Sequence, residues 1–190
     1  MSLHLPHLDA VTRDYMLREL DEELANYPYL PASMSPSGLI RWPALLREAV
    51  EQGDDSTLLA SLLYDPALFN VTEPYSRSAT GFKNVNHHQA AERLAVGEFN
   101  TAYVHGLAKR YLVENFRQVE VYRAASAKWE VAGCAKHEGL ILLTQDVFDG
   151  HRLNYWVNPL RPANPNAVAV PFGPGCHHSI RLPEQVESRV

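Results

Sequence analysis

Two short stretches carry the residue types that do chemistry. One is Cys134-Ala-Lys-His137; the other is Cys176-His177-His178. Thiolate and imidazole are the usual donors to structural zinc, and four of them fill its tetrahedral shell. The CAKH stretch has the two-residue gap of a zinc knuckle. In the second stretch both histidines compete. If residues 175–178 are extended, Cys176 and His178 share a face and His177 points away, so the predicted ligand set is Cys134, His137, Cys176 and His178. Gly133 and Gly175 precede the cysteines and suit a tight backbone turn around a metal. Such a Cys2His2 shell has no open position, so its zinc would be structural. Two other readings of the same residues stand beside it: buried cysteines with surface histidines, or a disulfide.

Other candidate groups are scattered. His87, His88 and His105 could be joined with His151 in a second metal site, but 87, 88 and 105 do not converge on one helix face, so a solvated helix end is the better reading. Glu98 has the chemistry of an acid or base but no partner nearby in sequence. No Ser-His-Asp order and no nucleophile elbow is present. Trp129, Tyr155 and Trp156 sit near proline loops and read as core or interface. No catalytic residue and no organic cofactor is expected.

The element that must position these groups is a long helix over 84–115. Asn86 suits its N-cap, with Val85 in the staple position before it. One apolar stripe runs through Leu94, Gly97, Val104, Ala108 and Tyr111, and another through Ala95, Phe99, Ala102, Tyr103 and Gly106. Together they are wider than one face, which predicts burial on two sides. Gly97 and Gly106 each cost about 1 kcal/mol inside a helix, so each predicts a close backbone or a bend.

Before it come three short helices. Thr12 can cap the first, which runs to about Tyr27 with Met16, Leu17, Leu20 and Leu24 at helical spacing. Pro43 suits the first turn of the second, with Trp42, Leu45, Leu46, Ala49 and Val50 apolar and Gly53 as its stop. Asp54 or Asp55 can cap the third, with Leu58, Leu59, Leu62 and Leu63 inside. None is long enough to stand alone in water. Residues 66–83 lack an apolar period and read as an extended arm or linker. After the long helix the period drops to two. Residues 119–124 read as a half-buried strand, 140–143 as a buried one, 145–150 as a helical turn, and 168–170 and 179–182 as further strands. The fold class expected is α+β, divided into an N-terminal helical part with its arm (1–83) and the long helix with a small irregular β region (84–190).

The 190 residues suffice for one domain with a real core. A formal charge of −5 argues against non-specific duplex binding, which needs a basic face. No apolar run reaches the length of a membrane span. The first residues lack a basic region and an apolar core, so no signal peptide is expected and synthesis is expected to be cytosolic. Two cysteines are too few for a disulfide scaffold.

The segments RLAVGEFNTAYVHGLAKRYLVENFRQVEVYRA (93–124) and PFGPGCHHSIRL (171–182), with TRDYMLREL (12–20) and MSPSGLIRWPALLREAVEQGDD (34–55), resemble structural proteins of tailed bacteriophages encoded among the head and neck genes. The CHHSIR end is also similar to the cysteine-containing end of Mu-type head morphogenesis proteins, although further cysteines of that pattern are missing here. The resemblance implies a non-enzymatic virion subunit, a head-to-tail adaptor or capsid-associated protein. It would be assembled in the host cytoplasm, in contact with copies of itself in a ring and with portal, capsid or neck subunits, and would bind no membrane and no specific nucleic-acid sequence. Two other classes remain beside it: a small metal-dependent hydrolase or nuclease, for which Glu138 is the neighbouring base, and a zinc-stabilised protein-interaction module.

Overall fold

A computed structural model describes residues 2–74, 81–126, 134–154, 164–173 and 176–183. The fold is α+β, and its axis is the long helix. Helix α1 spans Ala10–Asn26, α2 Pro36–Gln52, α3 Asp55–Tyr64 and α4 His87–Val113. A short ribbon pairs β1 (Thr72–Pro74) with β2 (Phe82–Asn84). Strand β3 (Gln118–Arg123) forms the centre of a three-stranded antiparallel sheet between β4 (Ile141–Leu143) and β5 (His178–Arg181), with α5 (Thr144–Asp149) following β4.

Every residue of α4 from Leu94 to Ala108 is buried. The two apolar stripes predict two covered sides; in the molecule the helix is wrapped all round by α1 and α3, with α2, α5 and β5 completing the cover. Its ends are chemically defined. Asn86 caps the start by accepting from the Gln89 amide. At the other end Asn115 takes a left-handed conformation, φ 65°. The Phe116 amide donates to the Tyr111 carbonyl and the Asn115 amide to that of Leu112, the paired bonds of a Schellman stop. The Phe116 ring packs edge-on against Tyr111, adding the apolar contact that accompanies this motif.

The two glycines of α4 differ. A Cβ at Gly106 would lie 2.6 Å from the Met16 backbone, so Gly106 is what lets α1 cross so closely. A Cβ at Gly97 meets nothing within 4 Å among the described residues, so the expected close backbone is not found there.

Several local expectations shift. Asp9, not Thr12, caps α1 by accepting from the Thr12 amide; Thr12 is buried and its hydroxyl accepts from Arg110. Helix α2 starts earlier than expected, at Ser35-Pro36, where Ser35 accepts from the Gly38 amide. Pro36 takes the first-turn role and Pro43 falls inside the helix, where it cannot donate to the Leu39 carbonyl. Asp54 caps α3 in a reciprocal box with Thr57.

The arm expected over 66–83 is anchored at its base. Leu68 and Phe69 are buried, and Asn70 donates to the Ala32 and Met34 carbonyls. Beyond that base the β1–β2 ribbon packs chiefly on itself, and every β2 side chain is exposed.

In the C-terminal part β3 and β5 bury Val119, Val121 and Ile180. The run 140–143 is not the buried strand expected: it forms edge strand β4, whose Ile141 and Leu143 face outward. Residues 168–170 make no strand. Ala169 and Val170 are buried, but the Val168 amide donates to the Asp146 carbonyl of α5, and Pro171 lacks an amide to continue a ladder. The first residues tie the layers together. The Leu3 amide donates to the Asp55 carboxylate of α3, and the His4 amide to the Ala124 carbonyl beyond β3. Among the described residues no helix is long and apolar enough to cross a membrane.

Candidate functional site

The predicted metal ligands come from two elements beside β3. A turn of 3-10 helix over Cys134–Lys136 leads into residues 137–139, where Gly139 adopts φ 76°. The Gly139 amide donates to the Val121 carbonyl and the Val121 amide to that of Leu140, which fixes the turn against β3. Strand β5 pairs with the same part of β3, Arg123 opposite His178. The shared partner strand therefore brings His137 close to Cys176 and His178.

Cys176 Sγ lies 3.2 Å from His178 Nδ1. Two donors on one tetrahedral zinc, with ordinary Zn–S and Zn–N lengths, stand about 3.5 Å apart. The pair is thus close to the edge of such a site. His178 is buried, and its other ring nitrogen, Nε2, stands 3.9 Å from the Glu138 carboxylate, beyond hydrogen-bond reach. The Asn100 amide of α4 donates to the His178 carbonyl at 2.7 Å, locking the strand to the long helix. His137 stands beside the pair: its ring stacks on Phe172 with centroids 3.9 Å apart and meets His178 edge-on at 5.6 Å. Among the described residues no three such donors share one point in space. The side chain of Cys134 lies outside the described residues, as do Gly133, Gly175, Trp129, Tyr155 and Trp156. His177 contributes its carbonyl, which accepts from the Ala124 amide. Cys176 and His178 have the donor chemistry of zinc ligands and are joined here by a hydrogen bond, with His137 beside them.

Glu138 is held by Arg123, whose Nε donates to it at 2.6 Å.

A second polar cluster was not legible as a site. It lies between α1, α4 and the turn after α5. Lys109 Nζ is 3.8 Å from Glu19, and Glu19 is 3.6 Å from His105 Nε2. The His105 ring stacks on His151 at 3.9 Å, with 10° between planes. His151 Nε2 meets Glu23 at 2.6 Å. Arg152 donates through Nε to both Glu23 oxygens at 3.1 Å, and through Nη1 to Glu98. Arg152 is 3% exposed and adopts φ 57°, a left-handed backbone that is costly away from glycine. Its guanidinium also covers the Tyr29 ring. A cavity of about 10 Å³ lies among these groups, room for about one water.

The electrostatics are strong. Burial alone would push the Glu23 carboxyl up; the Arg152 charge and the hydrogen bond and charge of His151 outweigh it and bring Glu23 down to about 2. Glu98 has no partner near it in sequence, and its partner, Arg152, comes from 54 positions away; His87, His88 and His105 stay apart, while His105 finds His151. Only His87 and His88 remain at the helix start, where His88 is exposed and His87 stacks on Phe69. The signal was present in the spacing: Met16, Glu19, Leu20 and Glu23 share one helical stripe, so two carboxylates occupy core positions.

No protein-family model matches the chain, and no similar curated protein or solved structure was found.

Proposed function

We propose that the chain is a non-enzymatic structural subunit of a bacteriophage virion, a head-to-tail adaptor or a capsid-associated protein. The observation that carries this reading is the β1–β2 ribbon. It leaves the helical layer, packs chiefly on itself, and sets Val71 and Phe82 in solvent at 76% and 71% exposure. A two-stranded ribbon is marginal alone in water, and an arm of this kind gains order by lying on a neighbouring subunit. The segments that resemble phage head and neck proteins include the long helix and β5, the frame of the fold. On this reading the partners are copies of the chain in a ring together with portal, capsid or neck subunits, and the place of action is the virion, after assembly in the host cytoplasm.

Structural zinc held by Cys134, His137, Cys176 and His178 belongs to the same proposal. It would pin β5 to the turn after β3. The zinc-stabilised interaction module shares this metal and differs in its partners. For the hydrolase, Glu138 near His178 is the favouring observation.

Sedimentation of the purified full chain tests the proposal. A ring-sized species is expected, and the double variant Val71→Ser, Phe82→Ser should fall to monomer with an unchanged melting temperature. A wild-type monomer that hydrolyses nucleic acid, peptide or phosphoester, with activity abolished in Glu138→Gln, would replace this reading with the hydrolase.

A further inference from the structure

The buried cluster of α1, α4 and the turn after α5 has a charge problem that the sequence does not announce. The two stacked imidazoles meet Glu19 and Glu23 from α1 and Phe148 from α5; Lys109 on α4 pairs with Glu19, and Arg152 of the turn pairs with Glu23 and with Glu98 of α4. With both histidines neutral, three carboxylates face two cations. One proton on the pair balances the cluster. Of the two rings His151 has the nearer carboxylate, Glu23 at 2.6 Å against 3.6 Å from His105 to Glu19, so His151 is the better seat for that proton.

A second proton meets a different situation. The His105 ring lies face to face with His151 at 3.9 Å and is 5% exposed. Two imidazoliums so placed repel strongly in a low-dielectric site. Glu19 offers His105 partial compensation at 3.6 Å, but shares its charge with Lys109. Ring separation relieves the repulsion, and the element free to separate is the one carrying His151. That segment is short. It is held to α4 by the His105–Phe148 stack, by Lys109 over the Phe148 ring and by Arg152 on Glu98.

We propose that the His105–His151 stack is a proton-operated fastening: with one proton it clamps residues 144–152 onto α1 and α4, and it accepts a second only by letting that segment loosen. The same segment holds 164–168 through Asn164 to Asp146 and Asp149 and through the Val168 amide. Acid would thereby release a larger part of the C-terminal region while the α1–α4 core stays packed.

The test is an NMR titration of the imidazole nitrogens in the full chain, together with amide exchange corrected for its intrinsic pH dependence. The expected result is two proton uptakes on the pair separated by more than about two pH units, the lower one lost in His105→Gln. Exchange in 145–151 should rise about tenfold through that lower step in the wild type and stay flat in His105→Gln, while α4 amides remain protected. If glutamine loosens the packing, His105→Phe keeps a flat ring on His151 and carries no proton. The proposal is overturned if both imidazoles titrate together near the ordinary value of about 6.5. It is equally overturned if exchange in 145–151 ignores pH or follows the same pH course in the variants.

Discussion

Replacing Glu23 by glutamine should remove an acid-dependent part of the protein's stability. In the folded state the carboxyl sits at about 2 rather than its ordinary 4.5, because Arg152 and His151 outweigh burial. A group with a depressed folded value adds stability that is fully present above the unfolded value and is lost as pH falls toward the folded one. The window is therefore from about 4.5 down to about 2. At about 1.4 kcal/mol per pKa unit, the difference corresponds to roughly 3 kcal/mol at most. Glu23→Gln also leaves the buried Arg152 with Glu98 as its remaining carboxylate partner in this cluster. Removing one member of a buried ion pair costs about 3–5 kcal/mol, so the variant should be less stable at neutral pH by a similar amount. Urea unfolding at a series of pH values provides the measurement. Wild type and variant should differ most at neutral pH and converge in strong acid. Parallel stability curves, with the same separation throughout, would show that Glu23 is not the titrating group.

Other substitutions probe the frame. Gly106→Ala places a methyl 2.6 Å from the Met16 backbone and should cost about 1–3 kcal/mol through forced displacement of α1. Leu107→Ala and Leu46→Ala, at sites 0% and 1% exposed, should each cost about 2–5 kcal/mol in chemical denaturation; near-zero losses at both would mean the core lies elsewhere. Protein purified without chelator should carry close to one equivalent of zinc by elemental analysis, released on acidification as its ligands take up protons. Cys134→Ser and His178→Ala should lower the melting temperature and His177→Ala should not; less than about a tenth of an equivalent, with Cys134→Ser unchanged, would remove the site.

The helical layer was readable because its signals are local. Leucines at three and four residues mark buried faces, and Asn86, Asp54 and Gly53 mark ends through hydrogen bonds made within a few residues. Errors arose where two local signals competed. Ser35-Pro36 and Pro43 both suit a helix start, and only the first has a cap hydroxyl at the right distance from free amides. At 140–143 the apolar run gave the strand but not its exposure, because an edge position depends on which strands arrive later in the chain. Cys176 precedes β5 and closes a turn onto Gly173, and its contact with His178 joins residues two apart, the neighbours that an extended backbone would place on one face.

The ionic cluster was missed for a reason that is itself physical. Its bonds join residues far apart in sequence: His151 to Glu23 across 128 positions, Arg152 to Glu98 across 54. No local pattern encodes such partners, but one encodes their need. Glu19 and Glu23 stand in the same stripe as Met16 and Leu20, and on α4 Glu98, Ala102, His105 and Lys109 follow helical spacing within a buried stretch. Carboxylates at core positions require either that the helix be exposed there or that cations arrive from elsewhere. The leucines of α1 and the tyrosines of α4 rule out exposure, which leaves the second case. His151 and Arg152 are adjacent residues directly after a Gly at the end of a short helix, and they are the cations that arrive. Their left-handed backbone at Arg152 is the local strain accepted to aim both side chains inward. Relieving that strain with Arg152→Gly would remove the guanidinium as well, so the informative change is Arg152→Lys. It keeps the charge but loses the planar fork that spans Glu23 and Glu98. If the fork is what holds the turn, Arg152→Lys should destabilise the fold in urea by an amount approaching that of Glu23→Gln; a loss below about 0.5 kcal/mol would mean that charge alone suffices and that the fork's geometry is incidental.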